Sequence, residues 1–397
     1  MKAFRELGSL PREVWVLSGV ALVNRAGTMV LPFLALWLTS DLGVPASHAG
    51  LVVSAYGAAA LVAAPIGGRM ADRAGTRRLM LVSLLLSGLL VLLIPLARSA
   101  PTAALAVGAW GAASELFRPA GLAAVGSLVP AERRRSAFAV YRLAINLGMS
   151  VGPAAAGFLA AVSFRAIFWI DGATSLLAGL LLAVLPWRAG AGDSAPAPPE
   201  GSASSAGALP SRARVAFFLA GALGVGLVFF QHQAAMAVFL VRDLRQPEST
   251  YGLLFTLNTL LVVALEVPLT ASLSARPLAP TLAAGALLCG LGFGALGLAA
   301  GALAAAATVV VWTFGEMVLF PAMNARAADL LPPERRGAAM GLYMTSFNLA
   351  FAVGPAAGMA VYERLGPGVL WGGCAVVGAV SAALLAASAR TPRRALP

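Results

Sequence analysis

The sequence predicts an all-α integral membrane protein, with twelve transmembrane helices in two pseudo-symmetric six-helix bundles and both termini cytoplasmic. Composition is the first reason. Apolar residues make up 59% of the 397 residues and charged ones only 11%, with a mean hydropathy of +0.86. A soluble chain of this length needs a charged exterior, so lipid must cover most of the outside here. The second reason is that the apolar residues come in runs of about 20 or more, the length a helix needs to cross a bilayer. The third is a repeat that relates the two halves of the chain.

Taken in order, the runs place helices at 14–38, 49–68, 79–97, 101–129, 136–161 and 166–187, then at 215–241, 250–274, 279–299, 302–331, 337–361 and 367–389. The segment 188–214 between the two sets is rich in Ala, Pro, Gly and Ser and has no apolar periodicity, which describes a flexible linker. The expected organisation is a bundle over 1–187, the linker 188–214 and a second bundle over 215–397.

Charge orients the spans. A net charge of +12 would suit a nucleic-acid partner, but the basic residues lie between the spans rather than along one face. With the N-terminus inside, nineteen Lys and Arg fall in cytoplasmic segments and five outside, namely Arg98, Arg165, Arg242, Arg245 and Arg364. That asymmetry follows the positive-inside rule, so the charge sets topology and no nucleic acid is expected. The apolar run after Lys2, Arg5 and Arg12 is too long for a signal peptide and has no small-residue cleavage site, so it reads as a retained first helix. Cys289 and Cys374 both lie within apolar spans, where they read as small packing residues and not as a disulfide or a metal site.

An offset of 202 (334 − 132) pairs Glu132, Arg133 and Arg134 with Glu334, Arg335 and Arg336. The same offset pairs Trp110 with Trp312, Pro119 with Pro321, Asp41 with Asp243 and Gly50 with Gly252, and it takes NLGMSVGPAA from Asn146 to NLAFAVGPAA from Asn348. So many Trp, Pro, Asn and charged matches at one register make the halves parallel copies. Two parallel six-helix repeats joined by a long central loop resemble the major facilitator superfamily, whose halves are related by an axis along the membrane normal.

Two motifs extend the resemblance. Between the second and third spans, Gly68, Asp72, Arg73, Gly75, Arg77 and Arg78 are spaced like the superfamily's loop signature. The glycines allow a tight turn, and Asp72 can accept hydrogen bonds from an exposed helix N-terminus. The resemblance implies that this helix is the eleventh, starting near Gly337, and that the contact is a conformational latch. In the fifth span, Gly148, Gly152, Pro153 and Gly157 resemble the GxxxGPxxGG signature of bacterial drug:proton antiporters with twelve helices. Small residues four apart let helices approach closely, and Pro153 bends its helix. This second resemblance implies multidrug efflux: export of small amphipathic or apolar molecules in exchange for protons.

Ionisable residues at membrane depth are costly and point to a pathway. Arg25, Glu115, Arg118, Asp171 and Glu316 are the proton-coupling candidates, with Glu266 beside them. Glu115 and Arg118 stand three apart on one helical face, a spacing that suits an ion pair. Either Asp171 or Glu115 is expected to exchange a proton, its affinity tuned by Arg25 or Arg118. Asn24, Phe33 and Trp37 in the first span, Gln231, His232 and Gln233 in the seventh and Asn258 in the eighth are the candidates for lining a substrate cavity.

The sequence carries no Walker A pattern, no Ser/His/Asp set, no HExxH and no Cys/His cluster, so no enzyme, cofactor or metal is expected. The expected partners are a small-molecule substrate, protons and membrane lipid, with the chain acting as a monomer. An Arg-rich, nearly Lys-free composition points to a bacterial cytoplasmic membrane. Within the same fold the competing reading is a proton symporter or facilitator for a sugar or an organic anion, with Arg25 and Arg118 as anion ligands. From another class, the competitor is a non-transporting membrane sensor or lipid-handling protein.

Overall fold

The computed structural model describes residues 10–130, 133–185, 212–273, 275–332 and 335–389, with the side chains of Ala64, Asp72, Arg135 and Arg336 outside the description. Most of the linker predicted at 188–214 also lies outside the described residues, and its last three residues already belong to a helix. Every regular element among the described residues is helical. Eleven helices are long and apolar enough to cross a membrane.

In chain order the first half gives α1 (Arg12–Ala26), α2 (Val30–Ser40), α3 (Ala46–Ala74), α4 (Thr76–Leu93), α5 (Ala100–Glu115), α6 (Phe117–Ser127), α7 (Arg134–Ala160) and α8 (Phe164–Val184). The second half gives α9 (Arg212–Phe229), α10 (Ala235–Val238), α11 (Glu248–Leu273), α12 (Leu278–Ala295), α13 (Ala302–Ala328), α14 (Arg336–Leu365) and α15 (Pro367–Ala389).

Two predicted spans are not single helices. The span expected at 101–129 divides at Leu116 into α5 and α6, which is why it is missing from the eleven. The one expected at 14–38 divides at Gly27–Met29 into α1 and α2, though the two pieces together are still long enough to cross. The physical reason is the same in both. Pro32 and Pro119 each stand third in the second piece, where the ring would collide with the carbonyl four residues back if the helix ran on. The seventh span breaks at the matching place: α9 ends at Phe229, which the offset of 202 pairs with Gly27, and a 3₁₀ turn over Phe230–Gln233 follows.

Two helix pairs form the seams between the halves: α3 against α14, and α7 against α11. They meet backbone to backbone. A Cβ at Gly50 would lie 2.6 Å from the Pro355 carbonyl oxygen, and one at Gly252 would run into the Pro153 carbonyl oxygen. Gly50 and Pro153 become Gly252 and Pro355 under the offset of 202, so the two contacts are copies of each other.

Buried side chains show how far the halves share an interior. One core is built only from residues of the first half, including Leu17, Met80 and Tyr141, and another only from the second, including Phe218, Met323 and Tyr343. The third draws on both, with Phe33, Trp37, Tyr251 and Trp371. The halves are therefore fused at the end where this shared core lies and have separate cores toward the end that carries Arg73, Arg77 and Arg133, called the basic end below.

Gly57→Leu tests the α3–α14 seam, because its Cβ would lie 2.6 Å from the Phe351 carbonyl carbon. We expect a loss of about 1–3 kcal/mol in a thermal unfolding measurement in detergent. Gly19→Leu, where a Cβ meets nothing within 4 Å, should leave the midpoint unchanged.

Candidate functional site

The site begins with the two helix breaks. Arg25 is the second-last residue of α1, Glu115 closes α5 and Arg118 is the second residue of α6. All three line a cavity of about 490 Å³, together with Tyr141, Arg142, Asn146 and Met149 of α7. The break at Leu116 changes how Glu115 and Arg118 relate. Glu115 turns to the second span, where its carboxylate accepts from the Tyr56 hydroxyl at 3.0 Å. The expected Glu115–Arg118 ion pair does not form, because the two residues no longer share one helix. Among the described residues neither Arg25 nor Arg118 has a carboxylate within 4.0 Å, and Arg25 Nε is buried without a hydrogen-bond partner. Arg142 instead reaches across the seam to Glu266 of α11, with Nη2 at 2.6 and 2.5 Å from its two carboxylate oxygens.

Asp171 lies elsewhere. It is buried in α8, and its Oδ2 accepts from the backbone N–H groups of Met29 at 3.1 Å and Val30 at 3.0 Å. These are the N–H groups that the break leaves without helical partners, so Asp171 serves as an N-cap supplied by another helix. The same face of α8 receives the rest of the break. Asn24 donates to Ser175 at 3.3 Å, and Gly27 is so close to Thr174 that no side chain would fit there.

In the second half Asn258 donates to Glu316 at 2.9 Å and to Thr313 at 3.0 Å. This resembles the Tyr56–Glu115 contact, and the offset of 202 pairs Tyr56 with Asn258. The surroundings differ, however. Trp312, Glu316 and Phe320 follow one another at four-residue spacing along α13, and the Phe229 ring packs against both Trp312 and Phe320 at centroid distances of 6.0 and 5.2 Å. From Phe229 the aromatics continue through Phe230, which stacks on Phe351 at 4.4 Å, to Tyr56 at 5.7 Å from Phe351. An apolar aromatic wall in one half thus faces arginines and a carboxylate in the other.

The other predicted cavity residues are held in structural roles. Phe33 packs on Tyr251 and Trp37 on Phe168, all four in the shared core. Gln231 donates to the carbonyls of Leu227 and Gly354, at 2.8 and 2.9 Å. His232 Nδ1 donates to the Phe229 carbonyl at 2.6 Å, and its Nε2 meets the Gln233 amide at 3.0 Å, so both ring nitrogens are engaged.

The motifs are placed as follows. Gly148 and Gly152 lie against the backbone of residues 22–28 beside the first break, while Gly157 lies against Glu248 and Ser249 of α11. In the loop signature, Gly75 has φ +83°, the left-handed turn that favours glycine. Arg77 donates to the carbonyls of Leu182 and Ala183 at 3.0 and 3.1 Å and so closes the C-terminus of α8. Arg73 and Arg78 are exposed, and a Cβ at Gly68 or Gly337 would meet nothing within 4 Å. The expected latch partner, the Asp72 side chain, lies outside the described residues.

Tyr56 and Arg142 were not singled out from the sequence. Tyr56 could have been, since the offset leads to it from Asn258; Arg142 has no such signal, because its counterpart is Met344.

The family model described as Major Facilitator Superfamily matches residues 16–243 and again 222–397, one match for each half. The chain belongs to this superfamily. It is 26% identical over 376 residues to an uncharacterized MFS-type transporter, YqjV of Bacillus subtilis, covering 93% of this chain and 90% of that protein. It is also 27% identical over 157 residues to the quinolone resistance protein NorA of Staphylococcus aureus, a match covering 40% of either chain. Among solved structures, it shares its fold with the nucleoside transporter NupG, at TM-score 0.79 and 14% identity over 95% of this chain and 99% of that one. A POT family transporter in complex with 5-aminolevulinic acid gives TM-score 0.77 and 18% identity over 96% of each chain. The family and the fold are those of secondary membrane transporters.

Asp171→Asn keeps an acceptor for the α2 N-terminus, whereas Asp171→Leu leaves two buried N–H groups unpaired. If capping is the role of Asp171, the Leu variant should lose about 2–4 kcal/mol in thermal unfolding and the Asn variant less than half as much.

Proposed function

We propose that this chain exports small amphipathic or apolar molecules in exchange for protons, alternating access between two six-helix bundles. The bundles are residues 1–187 and 215–397, joined by the linker 188–214. With α5 and α6 counted as one broken crossing the spans number twelve, and the basic residues put both termini and the basic end in the cytoplasm of a bacterium. The observation that carries the proposal is the cavity: a titratable carboxylate and two unpaired guanidinium groups in one half stand opposite an aromatic wall in the other. The wall suits an apolar body and the charged half suits a proton that comes and goes. The partial likeness to NorA supports the same direction of transport.

Glu115 and Glu316 are the proposed proton carriers, each held by a donor from a neighbouring helix that can follow its change of charge. Asp171 is the weaker candidate, since its carboxylate is occupied by backbone N–H groups. Asp72 and the basic residues around it are proposed to latch the cytoplasmic end shut in the outward-facing state.

One observation favours a second reading. Arg25 and Arg118, free of carboxylates, could hold the anionic group of a solute. Anion binding there would favour protonated Glu115, so proton and anion would move together, as in symport.

Everted vesicles with an acidic lumen separate the two. Antiport fills them with a fluorescent amphiphile at the expense of the gradient, whereas symport empties them of an organic anion. Glu115→Gln or Glu316→Gln should reduce gradient-driven transport at least about tenfold, the usual weight of a lost proton-transfer group. Full activity in both variants would rule these residues out as carriers.

Under export, Arg118→Gln should leave amphiphile transport within about threefold. Under anion symport it should abolish uptake, because a buried charge-assisted contact is lost.

A further inference from the structure

The two seams are copies by sequence but differ at the basic end. Along α3, Gly50 and Gly68 are 18 residues apart, or five turns, so both lie on the face turned to α14; along α14, Met359 and Gly341 stand in the same relation. Gly50 touches Pro355 and Met359, and Ser54 Oγ accepts from the Ala356 N–H at 3.0 Å. At the other end of the same faces, a Cβ at Gly68 or Gly341 would meet nothing within 4 Å. This seam is shut at one end and parted at the other.

The α7–α11 seam is shut along its length. Gly157 meets Ser249, Gly252 meets Pro153, and Thr256 donates to the Ser150 carbonyl at 2.7 Å. Two turns further toward the basic end Arg142 and Glu266 join, with the closest approach 2.5 Å. The offset of 202 turns Arg142 into Met344 and Glu266 into Ala64, so the other seam has no charges with which to build this contact.

We propose that the halves open on one side only. Arg142 and Glu266 clasp α7 to α11 at the basic end throughout the cycle, and α3 and α14 are the pair that part there. The clasped seam is the axis about which the bundles turn, so the mouth of the cavity lies between α3 and α14. Arg142 and Glu266 act as positioning residues. The inference rests on the alternating-access reading, which it refines by naming the hinge side and the gate side.

Spin labels test it without knowledge of the solute. In the full chain with Cys289→Ala and Cys374→Ala, one label pair at Leu143→Cys and Val263→Cys spans the clasped seam, and another at Ile66→Cys and Leu342→Cys spans the gate. Inter-label distances are measured by pulsed EPR in detergent at acid and alkaline pH. The clasp gives one short distance for the first pair in both conditions and two distances, changing in proportion, for the second. Adding Arg142→Met should bring a second, longer distance to the first pair, and the charge swap Arg142→Glu with Glu266→Arg should restore the single one. Two distances at the clasped seam of the otherwise unaltered chain, one unchanging distance at the gate, or no effect of Arg142→Met would each overturn the proposal. None of these readouts requires transport, so a vesicle assay that moves no solute would count against the proposed function and leave the hinge assignment standing.

Discussion

The fold depends on two places where the backbone of one half lies directly on the backbone of the other, Gly50 against Pro355 and Gly252 against Pro153. In lipid there is little hydrophobic gain from bringing apolar helices together, so association rests on close van der Waals packing, and removing Cβ lets two helices come closest. The prolines add to this because their helices are interrupted locally and present a carbonyl at the contact. Where these contacts lie decides where the halves fuse, and hence at which end a cavity can open. The shared core around Phe33, Trp37, Tyr251 and Trp371 fills the space that the crossings close.

A second constraint shapes the cavity itself. Pro32 and Pro119 break two helices of the first half, and each break exposes backbone groups that must be satisfied within a medium that offers no water. Asp171 answers the first break by taking the Met29 and Val30 N–H groups. The second separates Glu115 from Arg118, sends the carboxylate to Tyr56 and leaves the guanidinium facing the cavity. A helix that continued through Leu116 would place the two charges for mutual neutralisation. Broken, it leaves both available to something that enters.

Much of this was legible along the chain. The offset of 202 related the halves and identified Pro153 and Pro355, Gly50 and Gly252, and Trp110 and Trp312 as counterparts before any contact was seen. The seam contacts follow that arithmetic, as does the relation between Tyr56 and Asn258. Helical position was a poor guide to facing, however. Asn24, Phe33 and Trp37 looked like cavity residues because their spacing allowed it. The break at Gly27–Met29 shifts the face of everything after it, and these residues end up against α8 and in the shared core.

What the sequence determined by itself is what depends on local or additive properties: the number of apolar runs, the sign of charge between them, the repeat, and the prolines able to break a helix. Each follows from residue type and spacing, which tertiary packing does not alter. What only the tertiary structure decided is which polar groups find one another across helices. Asp171 meets the α2 N-terminus, Asn258 meets Glu316, and Arg142 meets Glu266 over separations of 142, 58 and 124 residues. Inside a membrane a polar group takes whichever partner lies within reach, since the alternative is to remain unsatisfied. Reach depends on how the helices cross and where they break, and neither can be read from one helix alone.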